Sequence, residues 1–203
     1  MLQESTQKAT RALVSSPKSL EELQLLTMPE GGTDRLNFLT WDTIEMIGQG
    51  EEVIEFHGFY AIQRDNPTSA DWREASVNIT MKELSVDGVS PTLGRIHASV
   101  NPDLGKKSGG QVLEGTIYDA ADSPKMCHMD GYMQFDMKDL GIVVFNKEPI
   151  ELEHSITHIP PVGQGGGTKE RASVKLYRKD APDGEPVAIL HRVKTHIGSW
   201  LAE

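Results

Sequence analysis

The sequence contains a single cysteine, Cys127, so no disulfide bond can form within the chain. Its apolar runs reach only four residues, as at 142–145, whereas a membrane-spanning helix needs roughly 18. The first residues, MLQES, lack the apolar core of a signal peptide. We therefore expect no membrane partner, and either a cytoplasmic protein or an exported chain whose signal has been removed.

Basic residues are also scarce, since 20 Lys and Arg stand against 30 Asp and Glu, for a formal net charge of −10. Nucleic acids and anionic membrane surfaces both favour clustered Lys and Arg, so we expect neither as a partner. No GxSxG, CxxC, EF-hand or P-loop pattern occurs in the sequence. The sequence therefore argues against binding to nucleic acids or anionic membranes and lacks these four motifs, and it indicates no reaction.

The chain is long enough for one globular domain, with 203 residues of which 37% are hydrophobic and 25% charged. Within residues 1–34, residues 4–14 are rich in helix formers, and Ser19 and Glu22 have the spacing of a capping box. We predict a short helical brace there, which is not an independent domain. The remaining residues, 35–203, are predicted to form an antiparallel β domain.

The β domain is predicted from the change in period after residue 36, where apolar and polar residues begin to alternate. Turn signals recur about every 10–15 residues, and no helical pattern intervenes. This pattern predicts an all-β fold, an antiparallel sandwich or barrel of about 9–10 strands. One strand is expected over 126–137, and the last is expected to place four residues on one face: Val187, Ile189, His191 and Val193.

The clearest alternation lies at residues 149–161, PIELEHSITHIPP. As a strand, this segment carries aliphatic residues and two histidines on one face: Ile150, Leu152, His154, Ile156 and His158. A helix is the alternative, because apolar residues also recur there at helical spacing. The β-branched residues and the flanking prolines favour the strand.

Three histidines are predicted on inward faces: His154, His158 and His191. Three neutral imidazoles with one open position can hold a divalent metal ion that activates water or polarises a carbonyl, so a metal-dependent enzyme is one hypothesis. The sequence has no HExxH spacing, and it identifies no carboxylate partner. This favours the alternative, in which each histidine is half-buried and bonded to a backbone carbonyl or a hydroxyl group.

A second group of residues, predicted to bind a ligand, combines three histidines on polar strand faces with two tyrosines: His57, Tyr60, His97, His128 and Tyr132. In a barrel with a polar interior these side chains would line a cavity. In a sandwich the histidines would face solvent, and exposed polar faces are the commoner case.

Binding of a small, partly apolar ligand is the leading functional hypothesis, with a pocket edged by His, Met and Tyr side chains. The alternatives are the metal-dependent enzyme and a self-assembling protein. In the last case, edge strands and the glycine-rich segment at 163–167 would mediate contacts in a homo-oligomer. A glycine-rich loop that binds phosphate is followed by a helix, whereas a strand is predicted to follow this segment. We therefore otherwise expect the segment to be a mobile connector.

Overall fold

The computed structural model of the chain describes residues 28–72, 74–112 and 124–200. They form twelve β-strands in one antiparallel sheet: β1 (Gly32–Met46), β2 (Gly50–Arg64), β3 (Val77–Ser90), β4 (Gly94–Val100), β5 (Gly109–Val112), β6 (Lys125–Gly131), β7 (Met133–Met137), β8 (Ile142–Asn146), β9 (Ile150–Ile156), β10 (Gly165–Gly167), β11 (Val174–Arg178) and β12 (Ala188–Trp200). The all-β prediction is confirmed. The predicted helices at the N-terminus fall on residues outside the described ranges.

The sheet closes on itself because β1 pairs with both β2 and β12. Four long strands, β1, β2, β3 and β12, run through the whole barrel. At one end, which we call the hairpin end, β4, β7, β8 and β11 complete the circuit between β3 and β12. At the other, the far end, β5, β6, β9 and β10 complete it. Each strand in the described residues therefore pairs with at least two others.

Alternation along the long strands sorts side chains between the interior and the outer surface. On β2, Ile54, Phe56 and Tyr60 are buried, whereas Glu55 and His57 are exposed, as the period of two predicts. The segment with the clearest alternation, residues 149–161, likewise contains a strand, β9, which buries His154 and ends before His158. Among the described residues, no helix is long and apolar enough to span a membrane.

The predicted long strand over 126–137 is in fact two strands, β6 and β7, separated at Tyr132. β6 pairs with β5 and β9 at the far end, whereas β7 pairs with β4 and β8 at the hairpin end. The chain therefore passes from one half of the barrel to the other at this residue. Local alternation continues through the break, which is why the sequence pattern did not reveal it.

The predicted inward face of the last strand was wrong in its first half. A register shift between β1 and β12 pairs Asp42 with Val193 but Ile44 with Leu190, so one extra residue is accommodated there. Ala188 and Leu190 are consequently buried, in place of the expected Val187 and Ile189. Beyond the shift, Val193 faces inward as predicted.

The barrel interior is filled at the hairpin end. Its fully buried side chains come from five different strands: Ile44, Ile54, Phe56, Ile96, Met137 and Leu190. Burial of each such side chain contributes about 1.5–3 kcal/mol of hydrophobic free energy. This tightly packed half holds the strands in place, and the empty space of the barrel lies toward the far end.

Candidate functional site: the barrel cavity

A cavity lies in the barrel toward the far end, and its empty volume, together with the solvent space at its opening, is about 620 Å³. Twelve of its seventeen lining residues are apolar, including Leu36, Phe38, Ile62, Ile79, Met81, Met129, Leu152 and Ile156. Most of the space is too narrow for a water-sized sphere to move through. Such a cavity suits a thin or flat apolar molecule better than a bulky or strongly hydrated one.

A second space, of about 440 Å³, adjoins the first toward the middle of the barrel. The two share Phe38, Met81 and Leu152 as lining residues, so these side chains lie between neighbouring parts of one interior. Along β1 the lining runs from Asp34 to Asp42, about 27 Å at roughly 3.4 Å per residue. Methionine side chains adapt their shape readily, so Met81 can adjust to an occupant.

Four polar residues form an interior polar cluster, which consists of Thr40, Asp42, His154 and Thr195. The Thr40 hydroxyl donates a hydrogen bond to Asp42 Oδ1 at 2.5 Å. His154 Nε2 lies 2.9 Å from Thr195 Oγ1. Thr40 and Thr195 are directly opposite each other in the β1–β12 pair, so the two bonded pairs are neighbours on the wall of the barrel.

Burial shifts both titratable groups of the cluster toward their neutral forms. Removal from water raises the pKa of Asp42 to about 7, even though the bond from Thr40 acts in the opposite direction. Removal from water also lowers the pKa of His154 to about 4. The cluster therefore presents a neutral imidazole and a carboxyl group that gives up its proton only near neutral pH.

Arg64 and Asp34 line the far-end part of the cavity as a closely bonded pair. Arg64 Nε donates to Asp34 Oδ2 at 2.6 Å, and Arg64 Nη1 donates to the Glu30 carbonyl oxygen at 2.6 Å. Both side chains are largely buried. The charge of the guanidinium is thus already balanced within the protein.

Tyr60 and Cys127 also line this cavity. Burial raises the pKa of the Cys127 thiol to about 12. It also raises the pKa of Tyr60, with a further contribution from Asp34. Cys127 is consequently a protonated, weakly reactive residue of the wall.

Comparison with known proteins places this barrel in a family. Residues 14–203 match the profile described as "Family of unknown function (DUF6073)". The chain belongs to this family. No curated protein matches the sequence significantly.

A solved structure similar to this member of the family is that of DynF from the dynemicin biosynthesis pathway of Micromonospora chersina. The two chains share 32% sequence identity and superpose with a TM-score of 0.80. The match covers 87% of this chain and 84% of DynF. The barrel architecture is therefore common to both proteins.

The three histidines predicted to bind a metal lie in three different settings. His154 faces the cavity, whereas His158 follows β9 in a turn, where its Nε2 donates to the Val162 carbonyl at 3.2 Å and its Nδ1 accepts from Gln164 at 2.9 Å. His191 lies at the register shift in β12, with its Nδ1 3.2 Å from the Ala172 carbonyl. His154 contacts a hydroxyl group, His158 a carbonyl, and His191 a carbonyl and a carboxylate, so each ring has its own partners.

One group with metal-ligand atoms within 4.8 Å of one another occurs in the described residues, and it consists of Glu45, Glu51 and His191. His191 Nε2 is 2.6 Å from Glu45 Oε2 and 3.6 Å from Glu51 Oε1. Arg171 also forms an ion pair with Glu51. The two carboxylates are partly exposed, whereas the His191 side chain beside them is buried.

Of the residues predicted to bind a ligand, Tyr60 alone lines the cavity. The three histidines face acidic residues on the outer surface: His57 with Glu55, His97 with Asp87, and His128 with Glu153. Tyr132 lies at the break between β6 and β7, with the Lys106 amine 5.0 Å from its ring. The interior is apolar, so polar strand faces point outward rather than into the cavity.

Sequence reasoning did not identify Thr40, Asp42 and Thr195. A signal was available on β1, where an Asp lies on the same face as Leu36 and Ile44. A charged residue on the apolar face of a strand is unusual enough to mark a position of interest. Thr195 had no such signal, because its position became meaningful only through pairing with Thr40.

Proposed function

We propose that this protein binds a slender, predominantly apolar small molecule inside its barrel. The observation that carries the proposal is the cavity of about 620 Å³, walled by aliphatic side chains and methionines. Small-molecule sites are concave and lined mainly by hydrophobic side chains, as this one is. The hairpin end, packed with buried side chains, supplies a rigid scaffold for this cavity.

The narrowness of the space restricts the shape of the ligand. A linear chain or a flat ring system meets the walls on all sides and gains from each apolar contact that replaces water. DynF, a protein of the dynemicin biosynthesis pathway, has a similar fold, and this supports a role in handling a small molecule. Nothing in the cavity favours a hydrated ion or a sugar.

The proposal is tested with diphenylhexatriene, a slender uncharged molecule that becomes fluorescent in apolar surroundings. We expect saturable binding to the wild-type protein. Met129→Trp places an indole ring in the cavity and should weaken probe binding by about tenfold or more. The overpacking should also lower the unfolding free energy by about 1–3 kcal/mol. Met129 is buried and lines the cavity.

The matched control is Val53→Trp, which adds the same ring at a position that is 68% exposed on the outside of β2. This variant should bind the probe as the wild type does. Thermal unfolding of both variants shows whether they fold. Absence of binding to the wild type, or equal binding by a folded Met129→Trp variant, would contradict the proposal.

The metal-dependent enzyme and self-assembly, the two alternative hypotheses, both stay predictions. Each strand in the described ranges already pairs with two neighbours within the chain, so these strands do not depend on a second copy for their pairing. Contacts between copies would have to use side chains on the outer surface. The glycine-rich segment is not a connector in the structure, because residues 165–167 form β10 between β9 and β12.

A further inference from the structure

The interior polar cluster lies where an apolar cavity has no need of polar residues. Thr40 and Asp42 line the inner part of the interior, and Thr195 lines it with them. His154 lines the adjoining part toward the far end. A molecule that fills the cavity from the far end therefore reaches these groups with its inner end.

The cluster keeps hydrogen-bonding capacity beyond its internal bonds. Asp42 accepts from Thr40 through Oδ1, which leaves its second carboxyl oxygen for another partner. Each threonine hydroxyl can serve as a donor and as an acceptor. A hydroxyl group on a ligand has the same two capacities, so it complements either kind of partner.

A negatively charged group is disfavoured at both ends of the cavity. Within the cluster it would lie beside Asp42, which has no positively charged partner there. Near the far end, Arg64 is the one permanent cation among the described lining residues, and Asp34 already balances its charge. An anion would lose its water without gaining a free cation.

A positively charged group is disfavoured for a related reason. An ammonium ion would need the ionised form of Asp42 as its partner, yet burial raises the pKa of Asp42 to about 7. His154 is held neutral by burial and offers no negative charge. Removing two charges from water costs more than a neutral hydrogen bond in the same place.

We propose that the ligand is an elongated, uncharged alcohol whose hydroxyl group binds the interior polar cluster while its apolar part fills the cavity. The assignment depends on the proposed binding function, of which it specifies the ligand class. It assigns Thr40, Asp42 and Thr195 to recognition of the hydroxyl group. The apolar walls then accommodate the chain without selecting its detailed structure.

The test compares four ten-carbon probes as competitors of diphenylhexatriene on the wild-type protein at about pH 6, where the acid is ionised, the amine is protonated and Asp42 is mainly in its neutral form. The probes are decanol, decanoate, decylammonium and decane. Decanol should bind at least about tenfold more tightly than each of the others, since it alone supplies a neutral hydroxyl group. Equal or tighter binding of either ion, or of decane, overturns the assignment.

The two proposals fail in distinguishable ways. If diphenylhexatriene binds but decanol shows no advantage, the alcohol assignment is overturned while the binding function stands. If no apolar probe binds at all, both are overturned. The comparison of probes uses only the wild-type chain, so it does not depend on the folding of a variant.

Variants locate the hydroxyl-binding groups. Thr195→Val and Thr40→Val each remove one hydroxyl group at nearly constant shape and should weaken decanol binding about three- to tenfold, while diphenylhexatriene binds as before. Thr43→Val, on the outer face of β1, is the matched control and should change neither. A decanol preference that survives both interior substitutions overturns the assignment.

Discussion

The imidazole ring of His154 lies directly against the backbone of Gly166. A β-carbon built on Gly166 would come within 1.6 Å of His154 Cδ2 and 2.5 Å of the Glu153 carbonyl oxygen. Gly166 is the residue of β10 that pairs with both His154 on β9 and Thr195 on β12. The missing side chain thus creates the space that the ring occupies beside its hydroxyl partner.

Gly166→Ala should therefore displace the His154 ring. We expect a loss of stability of at least about 1–3 kcal/mol, as for other overpacked interior positions, measured by chemical denaturation. Gly32→Ala is the control, because a β-carbon there would meet Arg64 at an ordinary 3.5 Å. Addition of His154→Ala to Gly166→Ala should recover only part of the loss, since the contact with the Glu153 carbonyl remains. A fully stable Gly166→Ala variant would contradict this packing.

The unfolding free energy of the wild type should fall as the pH rises, and Asp42→Asn should abolish the part of this fall that comes from Asp42. Burial raises the pKa of Asp42 from 3.8 to about 7, so the folded state holds this proton more tightly than the unfolded state. The stabilisation is complete below about pH 4 and is lost as the pH rises through 7. The difference in unfolding free energy, variant minus wild type, should rise by about 4 kcal/mol between those limits. A difference that does not vary with pH would contradict the burial of an unpaired carboxyl group.

His154→Gln should have the opposite pH dependence. Burial lowers the pKa of His154 from 6.5 to about 4, so the folded state binds this proton less tightly than the unfolded state. The stabilisation is present above about pH 6.5 and is lost as the pH falls through 4. Relative to the variant, the wild type should lose roughly 3 kcal/mol over this interval, measured by denaturation at a series of pH values. Parallel profiles would indicate that the ring is exposed to water.

Cys127 provides a direct measure of cavity occupancy, because it is the single cysteine of the sequence and lines the cavity. With the pKa of its thiol at about 12, roughly one molecule in ten thousand is a thiolate at pH 8, so N-ethylmaleimide should react slowly. Saturation with diphenylhexatriene should slow the reaction further, as followed by mass spectrometry. The Met129→Trp variant should lose this protection. An unchanged rate in the saturated wild type would place the probe outside the cavity.

Much of the fold follows from local patterns. The alternation on β2 correctly separates buried Ile54 and Phe56 from exposed Glu55, and that on β9 correctly turns His154 inward. These predictions succeed because side chains of a strand point to opposite faces in turn, whatever the strand pairs with. The same rule fails at Val187 and Ile189, because a register shift adds one residue that no local pattern indicates.

The candidate site could be predicted only in part for a similar reason. His154 was recognised as inward-facing, and a hydroxyl or carbonyl partner was favoured over a shared metal, but the sequence did not indicate that this hydroxyl belongs to Thr195. Asp42 and Thr195 come from strands at opposite ends of the sequence. Pairing between distant strands is set by the whole sheet, so neither residue could be assigned to the cluster in advance.

The amino-acid sequence by itself determined the all-β character of the chain and the inward position of His154, because a period of two is a property of neighbouring residues. The tertiary structure decided that the sheet closes into a barrel and that its empty space lies at the far end. It also decided that Thr40 faces Thr195 across β1 and β12. Closure and register depend on hydrogen bonds between residues far apart in the chain, and only the folded sheet brings these together.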